Sequence, residues 1–240
     1  MNTKMKVLAL ALLGLAGYAG SAVAGCPASP VPPWTAAPAI GGAVTIVTGG
    51  YAGTACHMGS ALTGDTTSFA TVEDDTPTSE PRYRAQFIIN ADTVAGLSNV
   101  DGVLIFTANS GVGSQVSLSV VGDGSGGLLL GYNVPDSSAG GGSDVGAFPL
   151  PAGENHVEID VDNGSEPGGT PHFAIWLNNS NEATPTFQTT TFNNGGATAG
   201  IETAFMGLAG ATPGFLSGFN GTVVGFDQFD SRRSTFIGGF

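Results

Sequence analysis

The sequence predicts an all-β protein, an antiparallel two-sheet β-sandwich, and three observations carry that prediction. The first is composition. In 240 residues, 39 Gly and 14 Pro interrupt almost every window in which a long helix would form, at a cost of roughly 1 kcal/mol per interior Gly and 3 per Pro relative to Ala. The second is the balance of 41% hydrophobic against 10% charged residues, which supplies a core that disordered chains lack. The third is spacing: short runs alternating apolar and polar recur between Gly, Asn, Asp and Ser clusters, as in a sandwich or a barrel. The glycines have no three-residue period, which excludes a collagen-like chain.

Taken in chain order, Met1 to Ala24 reads as a secretory signal, with Lys4 and Lys6 as its basic start, Val7 to Leu15 as its apolar core and Ala22-Val23-Ala24 as a cleavage site. Its apolar run is too short and Gly-interrupted to span a bilayer, and nothing downstream approaches ~18 consecutive apolar residues. The expected location is therefore secreted, periplasmic or at the cell surface, with no membrane span. A Pro-rich segment, residues 25–42, follows, and residues 43–240 form one sandwich domain.

Two readings compete at Cys26. Val23-Ala24-Gly25-Cys26 resembles a lipobox, which would place a lipid anchor on Cys26 with Pro27 to Pro38 as tether. The favoured reading pairs Cys26 with Cys56, the only other cysteine, as a disulfide in an oxidising compartment.

Removal of the signal takes both lysines with it. Arg82, Arg84, Arg232 and Arg233 then stand against 19 acids, a net charge of −15, and such a chain repels nucleic acid and anionic membranes.

The clearest alternating runs are Arg82 to Asn90, Gly102 to Thr107, Gln115 to Val121, His156 to Asp162, His172 to Asn178 and Thr222 to Asp230. Weaker ones lie at Ala43 to Thr48, Ser68 to Val72, Leu128 to Tyr132 and Ile201 to Leu208, giving about ten strands. Glu73 through Pro81 reads as a polar loop and Ser137 to Ser143 as a flexible one. A barrel of the outer-membrane kind is rejected, because its strands run about 9 to 11 residues between aromatic girdles and 8% aromatic residues is thin for two girdles.

The strongest local expectation is a hairpin. Antiparallel pairing of Val161 with Phe173, Ile159 with Ile175 and Val157 with Leu177 makes one face wholly apolar. The other face then pairs Asp162 with His172, Asp160 with Ala174 and Glu158 with Trp176. A one-residue slip would bury the carboxylates. Arg82 and Arg84 share one face of their strand and are expected to pair with acids across the sheet.

The hairpin, Phe205-Met206-Gly207-Leu208 and the closing Gly221 to Asp230 resemble the laminin-G-like, concanavalin A-like jelly-roll superfamily, over Tyr83 to Ile237. The resemblance implies two curved antiparallel sheets and, in many members, binding of glycans or surface proteins. Glu158-Ile159-Asp160-Val161-Asp162 also resembles the catalytic strand, E-[aliphatic]-D-x-E, of laminarinase- and lichenase-type glycoside hydrolases. That resemblance makes Glu158 the nucleophile, Asp160 its electrostatic partner and Asp162, in place of the usual Glu, the acid/base.

The candidate ligand site is the outer face of the hairpin, with Trp176 as a platform for a sugar ring and Glu158, Asp160, Asp162 and His172 as partners for its hydroxyls. The expected function is an exported, non-catalytic binding or surface module for a glycan or a surface partner. The alternatives are the glycoside hydrolase and a structural envelope or matrix protein. No cofactor is expected. Calcium is weighed on Asp160, Asp162 and Asn163 and on Asp227 and Asp230 without a calcium-loop motif. Zinc is weighed on His57, His156 and His172, the last two brought together by sheet pairing.

Overall fold

The structure, a computed structural model, describes residues 26–136, 142–164, 170–190 and 200–238. The described residues form fourteen strands: β1 (Ala39–Ile40), β2 (Gly42–Thr48), β3 (Cys56–Leu62), β4 (Phe69–Asp74), β5 (Arg82–Asn90), β6 (Gly102–Ser110), β7 (Gly113–Gly122), β8 (Leu128–Asp136), β9 (Gly142–Leu150), β10 (Glu154–Asp162), β11 (His172–Leu177), β12 (Phe187–Thr189), β13 (Thr203–Ala209) and β14 (Val224–Arg232). One short helix, α1 (Pro213–Phe219), starts at Thr212, whose side chain accepts from Phe215 N, with Pro at its first turn.

The strands make two antiparallel seven-stranded sheets, ordered β1-β4-β13-β6-β7-β8-β9 and β12-β11-β10-β5-β14-β3-β2. This is the jelly-roll β-sandwich that the alternation and the resemblance led us to expect. The hairpin of β10 and β11 has the expected register at all six pairs, from Val157 opposite Leu177 to Asp162 opposite His172. The apolar face of each strand turns inward because only the sheet interior removes it from water. Tyr83, Phe87 and Ile89 of β5, Ile159 of β10 and Phe173 of β11 meet Phe106, Leu118 and Leu130 of the other sheet in one core. Phe87 and Phe106 stack across the sheets at 5.6 Å.

Four strands lie outside the expected set. β1 and β12 are edge pieces of two and three residues. In β3, the inward positions are Met58, Ser60 and Leu62, so a polar residue hides the alternation. Ser60 is there because it joins the sheets, donating to Ala70 O at 2.6 Å and accepting from Leu208 N at 3.1 Å. Strand β9 begins inside the expected Ser137 to Ser143 loop, of which residues 137–141 lie outside the described residues. Glu73 and Asp74, expected in a loop, complete β4.

The Pro-rich segment is not a free tether from Cys26 onward. Cys26 and Cys56 form a disulfide with a Cα separation of 5.6 Å, and this occupies the sulfur that a lipid anchor would need. Thr35 N donates to Glu73 O, Trp34 packs on Phe229 at 4.5 Å, and β1 joins the first sheet. No described helix is long and apolar enough to cross a membrane. The disulfide and the sandwich are consistent with an extracellular location.

Candidate functional site

The outer face of β11-β10-β5 gathers all the expected ligand residues, because outward positions on antiparallel neighbours fall in rows. Trp176, Glu158 and Gln86 form one row; Ala174, Asp160 and Arg84 the next; His172, Asp162 and Arg82 the third. The face is not open, and here the expectation of an exposed sugar platform is corrected. Trp176 is 3% exposed, Glu158 0% and Asp160 1%, and Asp162 is also buried; only His172 is partly accessible. The loop after β11 covers one side: Trp176 Nε1 donates to Asn181 O at 3.1 Å, and Glu182 reaches Arg84 at 3.0 Å. Residues 236–238, beyond β14, cover the other. Ile237 N and Gly238 N donate to the two oxygens of Glu158 at 2.9 and 3.1 Å, and Phe236 packs on Trp176 at 5.3 Å.

Arg84 is the centre of the face. Its guanidinium lies against the rings of both Trp176 and Phe236, 5.5 and 5.4 Å from their centroids, a desolvated cation–π contact with each. Nη2 reaches Asp160 at 2.8 Å, and Nη1 lies 3.6 Å from Glu158. Arg82 forms a fork on Asp160, at 3.0 and 2.6 Å. The expected pairing of these arginines with acids is therefore present. Arg84 Nε and Nη1 nevertheless have no hydrogen-bond acceptor among the described residues, a costly state for a side chain 2% exposed.

The environment drives neighbouring acids apart. Burial alone would raise Asp160, but hydrogen bonds from His172 and Arg82 and the charge of Arg84 bring it down to about 2. Burial raises Glu158, and the Ile237 and Gly238 N–H groups and Arg84 only partly offset that. His172 is raised by its bond to Asp160. Its Nδ1 faces Thr170 O and its Nε2 faces Asp160, both at 3.1 Å, an arrangement that only the imidazolium satisfies on both sides. Burial lowers His156, which pairs with Gln86 at 2.9 Å.

Several metal readings lose their geometry. Asp160 is committed to Arg82, Arg84 and His172, and Asp162 accepts from Gly164 N at 2.7 Å. His172 pairs with Asp162 while His156 lies beyond Val157, so the two histidines sit at opposite ends of the hairpin. Asp227 accepts from Tyr51 N and Thr54 Oγ1, closing the turn before β3, and Asp230 pairs with Arg232 at 2.7 Å. No group of three or more potential ligands converges among the described residues.

The sequence reading did not anticipate a cavity of about 530 Å³ at the edge between the sheets, walled by Trp34, His57, Asp74, Asp227 and Phe229. The bulge of β14 between Asp227 and Asp230 lies in its wall, and the disulfide at Cys26 anchors the segment that brings Pro27, Pro33 and Trp34 to it. Asp74 and Asp227 there are already engaged by Thr76 and Ser231 and by Tyr51 and Thr54. Glu182 and residues 236–238 were also missed. Glu182 sits in an irregular loop, residues 236–238 lie about 80 positions from Glu158, and neither carries a periodic signal.

No protein-family model matches the chain, and comparison with curated proteins finds no match. Solved structures do match. A cellulose-induced protein, Cip1, superposes with a TM-score of 0.52 at 17% identity, over 88% of this chain and 92% of its own. An alginate lyase, Aly36B, in complex with an alginate trisaccharide, superposes with 0.50 at 11% identity, over 70% and 76%. The alginate lyase vAL-1 from Chlorella virus gives 0.48 at 11%, over 79% and 89%. The expectation of a non-catalytic binding or surface module is corrected: the open tryptophan which that module required is buried, and an alginate lyase is among the structures that share the fold. What the similarity establishes for this chain is its fold, a concanavalin A-like jelly-roll β-sandwich.

Proposed function

We propose that the protein is an exported glycan-cleaving enzyme, a glycoside hydrolase, with its reaction centre on the outer face of β10. The observation that carries this reading is the pair Glu158 and Asp160. They share Arg84 beneath an aromatic ring, yet one is pushed up and the other is held at about 2. Carboxyl groups driven apart in this way divide the work of acid catalysis: one keeps a proton to give, and the other keeps its charge. Glu158 donates its proton to the glycosidic oxygen as the bond breaks, ionised Asp160 faces the positive charge that develops on the sugar, and a water that adds to the anomeric carbon returns its proton to the Glu158 carboxylate.

These roles differ from those implied by the strand pattern. Asp162 is instead held at the end of the strand, accepting from Gly164 N at 2.7 Å and lying 4.0 Å from Arg82. With Glu158 protonated, Asp160, Asp162 and Glu182 balance Arg82, Arg84 and His172 on this face, and a neutral glycan leaves that balance undisturbed.

A panel of neutral β-glucans and alginate tests the reading. Release of reducing ends from a neutral glucan, reduced at least ~100-fold in Glu158→Gln, is the expected result. Unsaturated ends from alginate instead, or cleavage indifferent to Glu158→Gln, would overturn it.

A further inference from the structure

We propose that residues 236–238 are a built-in occupant of the glycan site, seated where a sugar would sit, and that their displacement opens the enzyme. The inference rests on the functional reading above and adds its regulation. The segment contacts the face as a bound glycan would. Phe236 sets an apolar ring against Trp176, tilted by 59°, and against Arg84, in the space that a sugar ring packed on Trp176 would take. The N–H groups of Ile237 and Gly238 donate to Glu158 as sugar hydroxyls would.

The fit is incomplete in a way that points to another ligand. Arg84 Nε and Nη1 lie buried beneath the segment with no acceptor. The segment turns donors toward this face, whereas each hydroxyl of a glycan is an acceptor as well. A neutral sugar therefore satisfies both Glu158 and Arg84, and the segment satisfies only the first.

The attachment is also shallow. Residues 233–238 pair with no strand. Beyond the two bonds to Glu158 and the Phe236 ring, an ion pair from Arg233, 77% exposed, to Glu80 fixes the start of the segment. Segments held by so few buried contacts open well below the free energy of global unfolding. A ligand that binds only the open form shifts that equilibrium by its own affinity.

Trp34 and Trp176 are the only tryptophans, so a Trp34→Phe background makes Trp176 a direct reporter. In that background Phe236→Ala removes the ring, and Ile237→Pro removes one N–H donor while leaving the ring. The expected result in both is a red-shifted Trp176 emission, a several-fold rise in acrylamide quenching with cooperative melting retained, and neutral β-glucan cleavage at least ~10-fold faster than in the background chain. If Trp176 stays shielded in both folded variants, or becomes exposed while an already active chain cleaves no faster, the occupant proposal is overturned. If Trp176 becomes exposed and no neutral glucan is cleaved or retarded in affinity electrophoresis, the segment stands as a cover and the glycan reading is what fails.

Discussion

Arg84 shows how much one residue decides here. It is a counter-ion of Asp160 and Glu158 and packs against two aromatic rings, so its loss leaves Glu158 buried without a cation and Asp160 with Arg82 and His172 alone. Breaking a buried pair on one side costs about 3 to 5 kcal/mol. We expect Arg84→Met to lose stability on that scale in urea titrations and Arg84→Lys to recover only part of it, since an ammonium neither stacks nor reaches both acids. His172 brings a pH dependence. The fold raises its pKa, so its stabilisation is complete below the unfolded value near about 6.5 and is lost as pH rises through the higher folded value. Asp160 acts at the other end: its contribution is present above about 3.9 and is lost as pH falls toward 2. Glu158 opposes it, because a raised carboxyl stabilises the fold below about 4.5 and ceases to as pH rises through its folded value. His156, lowered by burial, gives the opposite slope over the same range, so the expected result is a difference: between about pH 6 and 8 the urea midpoint of His172→Gln should fall less than that of the native chain.

At the scale of elements, the hairpin was legible because its two strands alternate without interruption and a one-residue slip would bury the carboxylates, which leaves this register or one shifted by two. Strands β3 and β9 were not, since Ser60 occupies a core position for a bond between sheets and β9 begins in a run of glycines. Within β13, Gly207 adopts φ +132° and its bare Cα faces the Ala70 carbonyl and Thr71 Cα across the ladder. A methyl there meets backbone that cannot yield, so Gly207→Ala should cost more than the ~1 kcal/mol of φ strain alone. Gly49, at φ +83° with nothing within 4 Å, is the control: its Ala variant should melt measurably closer to the native chain.

For the whole molecule, the disulfide ties the first described residue to β3 across a separation of 30 residues. Reduction, or Cys26→Ser, should lower the unfolding free energy by about 2 to 4 kcal/mol in chemical denaturation. It should also loosen the cavity wall of residues 27–34, seen as faster exchange of their amides. An intact mass without added lipid is the matching expectation.

The sequence by itself determined the sandwich, the core face of most strands, the hairpin register to within a shift of two, the disulfide pairing and the chemical membership of the acidic face. Each is written in local periodicity or in the count of a rare residue type. Only the tertiary structure decided that the face is covered, because its cover comes from Glu182 and from residues 236–238, about 80 positions from Glu158. Alternation says which way a side chain points. What then lies over it depends on where distant segments pack, and the burial, the split acidity of Glu158 and Asp160 and the unsatisfied guanidinium of Arg84 all follow from that packing.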